Sequence, residues 1–233
     1  MQHSLKVGGI TPLTITDYPG KLAAVVFVQG CPWSCAYCHN THLQPRLQKS
    51  PLQWQRVFNL LKKQSGIIDA VVFSGGEPVL DPCLPDAIAD VKSLGHEVGL
   101  HSSGAYPRQL AALLPMVDWM GLDIKAPFER YGEVTGVDGS GDAARESLQR
   151  LLASGVPHEV RTTVHPNLLA EDDLAALAGA LHDMGVRNYA LQLFRPQGCR
   201  NRPLKAAALA GYPGKDLLQR LDALFPNFKV RQG

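Results

Sequence analysis

The stretch Leu22-Ala-Ala-Val-Val-Phe-Val-Gln-Gly-Cys31-Pro-Trp-Ser-Cys35-Ala-Tyr-Cys38 joins an uninterrupted apolar run to a cluster of three cysteines. Residues 22–28 have the length of a strand, and the lack of alternating polar residues predicts a strand that is buried on both faces. About twenty residues separate this strand from the first helical pattern. Because long connections in a compact domain usually have a function, we expect the cysteines to lie in a functional loop.

Strand-like and helix-like segments alternate along the rest of the chain. Further strands are predicted over residues 68–73, 97–100, 117–124, 159–164 and 187–194, and an amphipathic helical pattern follows each of them. This alternation predicts a parallel sheet with right-handed crossovers. Six such units are fewer than the eight of a closed barrel, which takes about 250 residues. The sequence therefore predicts an α/β fold, a partial (β/α)6 barrel, with a flat doubly wound sheet as the alternative that the pattern leaves open.

The chain of 233 residues is expected to form a single domain with a sizeable core. Residues 21–233 account for the six units of the partial barrel, and residues 1–20 are predicted to be an N-terminal extension. Within this extension, residues 5–16 contain Gly8-Gly9 and are predicted to be irregular or to form a small hairpin.

The composition is that of an ordinary globular protein, with 45% hydrophobic residues, 19% charged residues and a formal net charge of +2. The sequence contains no block of Lys or Arg residues of the kind that would indicate a nucleic-acid partner. The longest apolar run, residues 22–28, is much shorter than the roughly 20 residues of a membrane span. Residues 1–10 lack the apolar core and cleavage site of a signal peptide. We therefore expect a cytoplasmic protein that binds neither nucleic acid nor membrane.

The cysteines indicate a metal or redox site rather than a set of disulfides. Their number, five, is odd, and Cys31, Cys35 and Cys38 lie within eight residues, whereas Cys83 and Cys199 lie elsewhere in the chain. Thiolates are ligands of iron–sulfur clusters and of zinc. A C-x₃-C-x₂-C loop supplies three thiolates, so one iron of a four-iron cluster would lack a nearby cysteine and stay open to a small chelating ligand.

A zinc site is the alternative use of the same loop. Its fourth ligand would be His39, Cys83 or Cys199, and the protein would then be a zinc-stabilised binding module. Zinc sites are typically built from two paired hooks of Cys or His, and no second hook is visible. Cys83 and Cys199 are each isolated in the sequence. A lone cysteine is most often a small buried apolar residue, so we assign neither of them a role.

The cysteine pattern, with Tyr37 before its last cysteine, resembles the radical S-adenosylmethionine (SAM) superfamily. The wider stretch Asp17-Tyr-Pro-Gly20, Phe27-Val-Gln-Gly-Cys31 and Cys38-His-Asn40 resembles the activating enzymes of glycyl-radical enzymes. Among these, it is similar to the activating proteins of anaerobic ribonucleoside-triphosphate reductase.

This resemblance implies two cofactors, a 4Fe–4S cluster held by Cys31, Cys35 and Cys38, and SAM itself. It implies reductive cleavage of SAM to a 5′-deoxyadenosyl radical, which takes a hydrogen atom from a glycine of a partner enzyme, here anaerobic ribonucleotide reductase. An electron donor such as flavodoxin or ferredoxin is also implied. The cofactors carry this chemistry, so no general acid, base or nucleophile is required of the chain.

Polar motifs follow the other predicted strands, at ends that meet on one face of a barrel. Paired glycines after a strand, Gly75-Gly76, allow the main chain to approach a ligand closely. Asp123 and Lys125 fall on the same side of their strand, where an acid and a base can pair with a zwitterionic amino acid. Arg161 lies within a predicted interior strand and needs an anion as partner.

The resemblance implies that these motifs bind SAM. The predicted cofactor-binding residues are Gly75, Gly76, Glu77, Pro78, His101, Ser102, Asp123, Lys125, Arg161 and Arg195. By resemblance, the Gly-Gly-Glu-Pro main chain meets the methionyl amino group, the Asp-x-Lys pair lies near the methionyl end, and Arg161 holds the methionyl carboxylate. Relatives carry an acid at the position of His101, which in some also binds a cation, and a His at that of Arg195, near the ribose. Each motif also has a plain structural alternative: a turn, a surface histidine, a salt bridge or a buried ion pair.

A second enzyme function is left open, in which the radical acts on a small metabolite as in the deazaguanine-forming synthases. The segment after Lys125 is relevant to the choice between a protein substrate and a small-metabolite substrate. Residues 126–144 contain four glycines and are predicted to form a long, mobile loop that orders against a protein partner.

Overall fold

The computed structural model describes residues 4–207 and 209–232. Eight strands form one sheet: β1 Val7–Thr14, β2 Ala23–Val28, β3 Ala70–Gly75, β4 Glu97–Ser102, β5 Trp119–Asp123, β6 His158–Val164, β7 Asn188–Leu193 and β8 Asn227–Arg231. They lie in chain order, and every neighbouring pair from β2 to β8 is parallel. A doubly wound sheet would reverse its strand order at a switch point, so that alternative is excluded. Among the described residues no pairing joins β1 to β8, and the barrel is therefore open.

Eight helices pack around this sheet: α1 Trp54–Lys63, α2 Leu84–Ser93, α3 Pro107–Leu113, α4 Tyr131–Thr135, α5 Ser140–Ser154, α6 Glu171–Asp183, α7 Arg202–Ala206 and α8 Lys215–Leu224. Each of the six strands from β2 to β7 is followed by at least one of them, which confirms the prediction of a partial (β/α)6 barrel. The helices bury apolar residues at helical spacing, as α1 does with Trp54, Val57 and Leu61. No helix in the described part of the chain is long and apolar enough to cross a membrane.

Two of the strands were not predicted. Residues 5–16 form neither irregular structure nor a hairpin of their own, because β1 pairs antiparallel with β2 over much of its length. The segment predicted as an N-terminal extension thus supplies the first strand of the sheet, and Val7 is fully buried. At the other edge, β8 pairs with β7. Both strands have weak strand patterns, and what orders them is the free edge of the neighbouring strand.

The barrel interior is divided into an apolar floor and a polar upper part. Tyr18, Val25, Val72 and Trp119 form most of the floor, and the rings of Tyr18 and Trp119 lie 5.3 Å apart. A second, larger cluster fills the layer between the sheet and the helices. Because the floor is closed, the space inside the barrel is confined to the carboxyl ends of the strands, where a barrel places its functional site.

The expectation of a long mobile loop over residues 126–144 is wrong. This segment contains α4 and the start of α5, and it buries the rings of Phe128 and Tyr131. Gly141 serves close packing rather than motion, because a Cβ atom there would lie 1.9 Å from the carbonyl oxygen of Phe128. The glycines of this segment predict mobility, but Gly141 instead allows α5 to pack closely against the turn at Phe128.

Candidate functional site

A cavity of about 970 Å³ opens at the carboxyl ends of the strands. Its wall includes most of the residues that the sequence predicts for the site: Cys31, Cys35, Cys38, Gly75, Gly76, His101, Ser102, Asp123, Lys125, Arg161 and Arg195. Glu77 and Pro78 are the predicted residues that do not line it. Residues more than 160 positions apart in the sequence thus meet at one place, as the strand order of the barrel requires.

The three cysteines lie on the connection between β2 and α1, residues 29–53, which we call the cysteine loop. Main-chain hydrogen bonds hold its base, from Gly30 N–H to Leu43 O (2.7 Å) and from Cys31 N–H to Gln44 O (3.0 Å). Trp33 and Tyr37 are buried and anchor the part that carries the cysteines. The loop is therefore built as a fixed element of the barrel.

The thiols fit an iron–sulfur cluster better than a zinc ion. All three line the cavity and none is in a disulfide. Within residues 4–207 and 209–232, no three Cys, His, Asp or Glu side chains converge on a point that one ion could occupy. A zinc ion needs such convergence, whereas a four-iron cluster takes each thiolate on a different iron.

The proposed fourth zinc ligands have other surroundings. The ring nitrogen Nε2 of His39 lies 2.9 Å from the carbonyl oxygen of Arg195, within hydrogen-bond distance. Cys83 precedes α2 and does not line the cavity. Cys199 is buried, and its thiol lies 3.8 Å from the carbonyl oxygen of Ala36. None of the three completes a tetrahedral set with the cysteine loop.

The free thiols are held in their protonated form. Burial raises the pKa of the Cys31 thiol to about 12 and also raises the pKa values of Cys35 and Cys38, while the Lys125 ammonium acts in the opposite direction. Metals bind the thiolate. Loading of this site is therefore coupled to the release of protons.

The Gly75-Gly76 pair packs against the base of the cysteine loop. A Cβ atom on Gly76 would lie 2.3 Å from the carbonyl oxygen of Gly30, so only glycine fits. Gly76 N–H bonds to Val28 O (2.9 Å), and Glu77 N–H bonds to Gly30 O (2.7 Å). The paired glycines thus join β3 to the cysteine loop, and they also line the cavity.

The Glu77 carboxylate holds two strand ends together behind the cavity wall. It is fully buried and accepts hydrogen bonds from Ser102 Oγ (2.8 Å), Ser103 N–H (2.8 Å) and Val79 N–H (3.2 Å), and also from Ser103 Oγ. Burial raises the pKa of Glu77 above its usual value, although these hydrogen bonds oppose the shift. Its side chain therefore has its partners within the protein, and the motif presents its glycines to the cavity.

Asp123, Lys125 and Arg161 form a charged group: Asp123 ends β5, Lys125 follows it, and Arg161 lies in the middle of β6, opposite Asp123. The Asp123 carboxylate lies 2.9 Å from the Arg161 guanidinium and 3.4 Å from the Lys125 ammonium. Burial works against the ionised form of Asp123, but the two cations outweigh it and hold its pKa below the usual range. Two cations share one anion, so the group carries a net charge of +1 and can accept the carboxylate of a further ligand.

His101 is a buried residue of this group and not the surface histidine that was one alternative. Burial and the nearby Arg161 charge lower the pKa of His101 to about 3, so the ring is neutral. Its Nε2 atom lies 2.8 Å from the carbonyl oxygen of Asp17 and 3.1 Å from Arg161 Nη1. One nitrogen cannot donate to a carbonyl and accept from a guanidinium at once, so only one of these bonds exists at a time.

The structure adds cavity residues that the sequence did not reveal. Lys229 and Arg231 of β8 form a further part of the cavity wall, together with Gln192 of β7. Arg231 pairs with the buried Glu159 across β7, at 2.6 Å. No signal in the sequence could have found this wall, because β8 itself was not predicted.

The site and the fold agree with a known family. The family model of the Radical SAM superfamily matches residues 25–178, more than half of the chain and including the cysteine loop. The chain belongs to the radical SAM superfamily. Enzymes of this superfamily use a 4Fe–4S cluster and SAM, and these are the cofactors of this radical SAM enzyme.

Named relatives refine this assignment. This radical SAM enzyme is 29% identical over 209 residues to a Methanocaldococcus jannaschii protein with the provisional name of a glycyl-radical enzyme activating enzyme, covering 85% of this chain and 84% of that protein. It is 26% identical to the pyruvate formate-lyase-activating enzyme of Clostridium pasteurianum, covering 77% of both chains. It is also 26% identical to an S-adenosylmethionine-dependent nucleotide dehydratase of Selenomonas ruminantium, covering 76% of this chain and 68% of that one.

Solved structures share the fold of this radical SAM enzyme at low sequence identity. The crystal structure of QueE from Escherichia coli matches with a TM-score of 0.58 at 16% identity, covering 99% of this chain and 94% of that one. Against the Streptococcus suis SuiB structures, this chain spans about half of their length.

Proposed function

We propose that this radical SAM enzyme generates a glycyl radical in a partner enzyme, anaerobic ribonucleoside-triphosphate reductase. The observation that carries the proposal is one cavity in which the three thiols of the cysteine loop meet the charged group of Asp123, Lys125 and Arg161. The similarity to activating enzymes that covers most of the chain supports the choice of a protein substrate.

Each part of the cavity has its own task in this proposal. Cys31, Cys35 and Cys38 would hold the cluster, and the loop supplies no fourth cysteine, which would leave a coordination position for SAM. When bound, the cluster supplies the electron that cleaves SAM to methionine and a 5′-deoxyadenosyl radical. The Gly75-Gly76 main chain would meet the amino group of the methionyl end and Arg161 its carboxylate. Asp123 and Lys125 lie beside them, and these fixed positions orient the sulfonium. The apolar floor below them keeps water out of the barrel.

The open barrel provides the route for the partner. A glycine Cα of a folded protein reaches the cavity only on an inserted loop, and the space between β1 and β8 is open to such a loop. Ile15 at this side lines the cavity and exposes 75% of its surface. The hydrogen atom of the glycine passes to the adenosyl carbon, which gives 5′-deoxyadenosine and leaves the radical on the partner. Flavodoxin or ferredoxin is the proposed electron donor.

The cytoplasm is the compartment that we propose for this reaction. All five cysteines are free. Free thiols persist in a reducing compartment, and a cluster with an open iron needs the same protection from oxidation.

A small anionic metabolite is the second candidate substrate. Lys229 and Arg195 bring further positive charge to the cavity wall, which suits a phosphate or carboxylate, while Arg231 is already paired with Glu159. The similarity to a nucleotide dehydratase supports this candidate. Modification of a deazaguanine precursor belongs to the same class.

Anaerobic reconstitution with iron and sulfide, followed by an assay for 5′-deoxyadenosine, tests the shared chemistry. Electron paramagnetic resonance then separates the candidates, because activation of the reductase produces a glycine-centred signal in the partner. The matched control is a reductase whose radical glycine is replaced by alanine. Formation of 5′-deoxyadenosine without a glycyl signal in any partner would favour the small-molecule substrate. Zinc in place of iron would contradict both.

A further inference from the structure

Helix α4 holds the cysteine loop on both sides of its middle cysteine. The carbonyl oxygens of Thr135 and Val134, the last two residues of α4, accept hydrogen bonds from Ser34 N–H (2.8 Å) and Ala36 N–H (3.0 Å). These two amides flank Cys35. The bonds connect parts of the chain about 100 residues apart, and they restrict the main chain where the cysteines are most closely spaced.

The first residue of α4 contacts the charged group instead. The hydroxyl of Tyr131 accepts a hydrogen bond from Lys125 N–H (3.0 Å) and donates one to the carbonyl oxygen of Asp123 (3.2 Å). The Tyr131 ring is fully buried and packs edge-on against Trp33 of the cysteine loop, with 5.6 Å between ring centroids. One side chain thus joins the ends of two functional segments.

The helix is also tied to the body of the barrel. Thr135 Oγ1 lies 3.1 Å from Tyr131 O and 2.7 Å from Ser140 Oγ, and Ser140 Oγ donates to Val137 O (2.7 Å). Both hydroxyls are buried, and Ser140 begins the 15-residue helix α5. Because buried, satisfied networks of this kind are rigid, α4 cannot move without disturbing α5.

We propose that Tyr131 is a positioning residue that keeps the three thiols in register with Asp123 and Lys125. Tyr131 does not line the cavity, and its hydroxyl bonds only to main-chain atoms, so it acts through the two segments that it joins. The inference rests on the proposed function for the identity of the two ligands held there. A displacement of about 1 Å between reacting groups costs roughly 100-fold in rate, which gives such a residue a large effect without any contact to a ligand.

Tyr131→Phe removes the hydroxyl and keeps the ring. We expect this variant to bind the same amount of iron and sulfide as the native protein. In the cofactor-free protein, the amides of Ser34 and Ala36 should exchange hydrogen about tenfold faster, because α4, whose carbonyls hold them, loses the anchor at its first residue. With the cluster loaded, the Kd for SAM should rise and the rate of 5′-deoxyadenosine formation should fall, each by about tenfold.

Tyr189→Phe is the matched control. Tyr189 is as deeply buried as Tyr131, and its hydroxyl donates to Thr162 Oγ1 (2.9 Å). The substitution leaves Thr162 bonded to Ile124 O and touches neither the cysteine loop nor Asp123. We expect it to lower thermal stability while the Ser34 and Ala36 amides and the Kd for SAM keep their native values.

Trp33→Phe serves as a second variant, should Tyr131→Phe not fold. It removes part of the Trp33 ring that packs against Tyr131 and so weakens the same link from the side of the cysteine loop. Native exchange rates and a native Kd for SAM in whichever of the two variants folds would overturn the proposal. A native protein that holds no cluster would contradict the proposed function instead. The exchange measurement needs no cofactor, so it would still decide the role of Tyr131.

Discussion

The Arg161 guanidinium lies 2.9 Å from the Asp123 carboxylate on the neighbouring strand, and its third nitrogen lies 3.1 Å from His101. One ion pair therefore links three successive strands of the barrel, β4, β5 and β6. The same pair satisfies a buried charge and presents a cation to the cavity. Arg161 and Asp123 thus have both a structural and a ligand-binding role, which substitutions can separate.

Arg161→Gln should weaken both binding and folding. Arg161 is buried, but the Asp123 side chain is one-third exposed and keeps Lys125, so the loss in the free energy of unfolding should be below the roughly 3–5 kcal/mol of a fully buried pair. We expect the Kd for SAM to rise by at least about tenfold, measured by calorimetry on the loaded enzyme. Glu159→Gln is the control, because Glu159 is a buried acid paired with an arginine but does not line the cavity. Loss of SAM affinity in both variants to the same extent would mean that stability alone is responsible.

Replacement of any one of Cys31, Cys35 or Cys38 by alanine should abolish assembly of the cluster, since each thiolate is expected to hold a different iron. Iron and sulfide analysis after anaerobic reconstitution measures this directly. Cys83→Ala should retain the native iron content, because Cys83 lies outside the cavity wall. A triple variant that still holds a full cluster would refute the assignment of these ligands.

Lys125→Ala should leave the cluster spectrum unchanged and raise the Kd for SAM by about tenfold. The Lys125 ammonium is buried, 3.4 Å from Asp123 and 5.7 Å from the centre of the Tyr37 ring, so its loss alters the charge at the methionyl end. Lys92→Ala removes an exposed pair with Asp118 and serves as control. An unchanged Kd together with a lower melting temperature would leave Lys125 only a structural role.

His101 should make the folded state less stable in acid. The pKa of His101 is lowered from 6.5 to about 3 by burial and by Arg161, so the unfolded chain takes up a proton that the folded chain does not. This contribution to stability is present above pH 6.5 and decreases as the pH falls towards 3. Between about pH 6.5 and 5.5 the loss is about 1 kcal/mol.

The test of this effect compares denaturation curves of the native protein and of His101→Gln over that pH range. The variant should show a flatter dependence on pH. His182→Gln removes a half-exposed histidine and should keep the native dependence. Equal slopes in the native protein and in His101→Gln would show that His101 is not held neutral.

Deletion within residues 137–142 should prevent normal assembly of the cluster. The segment connects α4 to α5 and carries Ser140, which holds the end of α4 through Thr135. Without it the bonds from α4 to the cysteine loop lose their support, so reconstituted iron and sulfide should fall well below the native content. Full cluster content with loss of partner activation alone would restore the docking role that the sequence suggested.

The sequence was most informative where function depends on local spacing. Three cysteines within eight residues need no distant partner to define a shared site, and Asp123 and Lys125 reach the same side of the chain through strand alternation alone. The structure brings these residues to one cavity, while ligation of iron by the thiols stays a prediction. The alternation of strands and helices was enough for a parallel sheet, and the strand order then distinguished the partial barrel from the flat sheet.

Tertiary structure decided every feature that depends on distant segments. The motif predicts that Glu77 binds the cofactor, yet its carboxylate accepts hydrogen bonds from Ser102 and Ser103 at the end of the next strand. The two edge strands have weak patterns of their own and are ordered by pairing with β2 and β7. The glycines after Lys125 suggest mobility, but the segment folds into α4 and the start of α5, and Gly141 packs against the main chain of Phe128. The physical reason is common to all three. Burial and strand pairing depend on neighbours that are far away along the chain, and a local sequence pattern does not contain information about those neighbours.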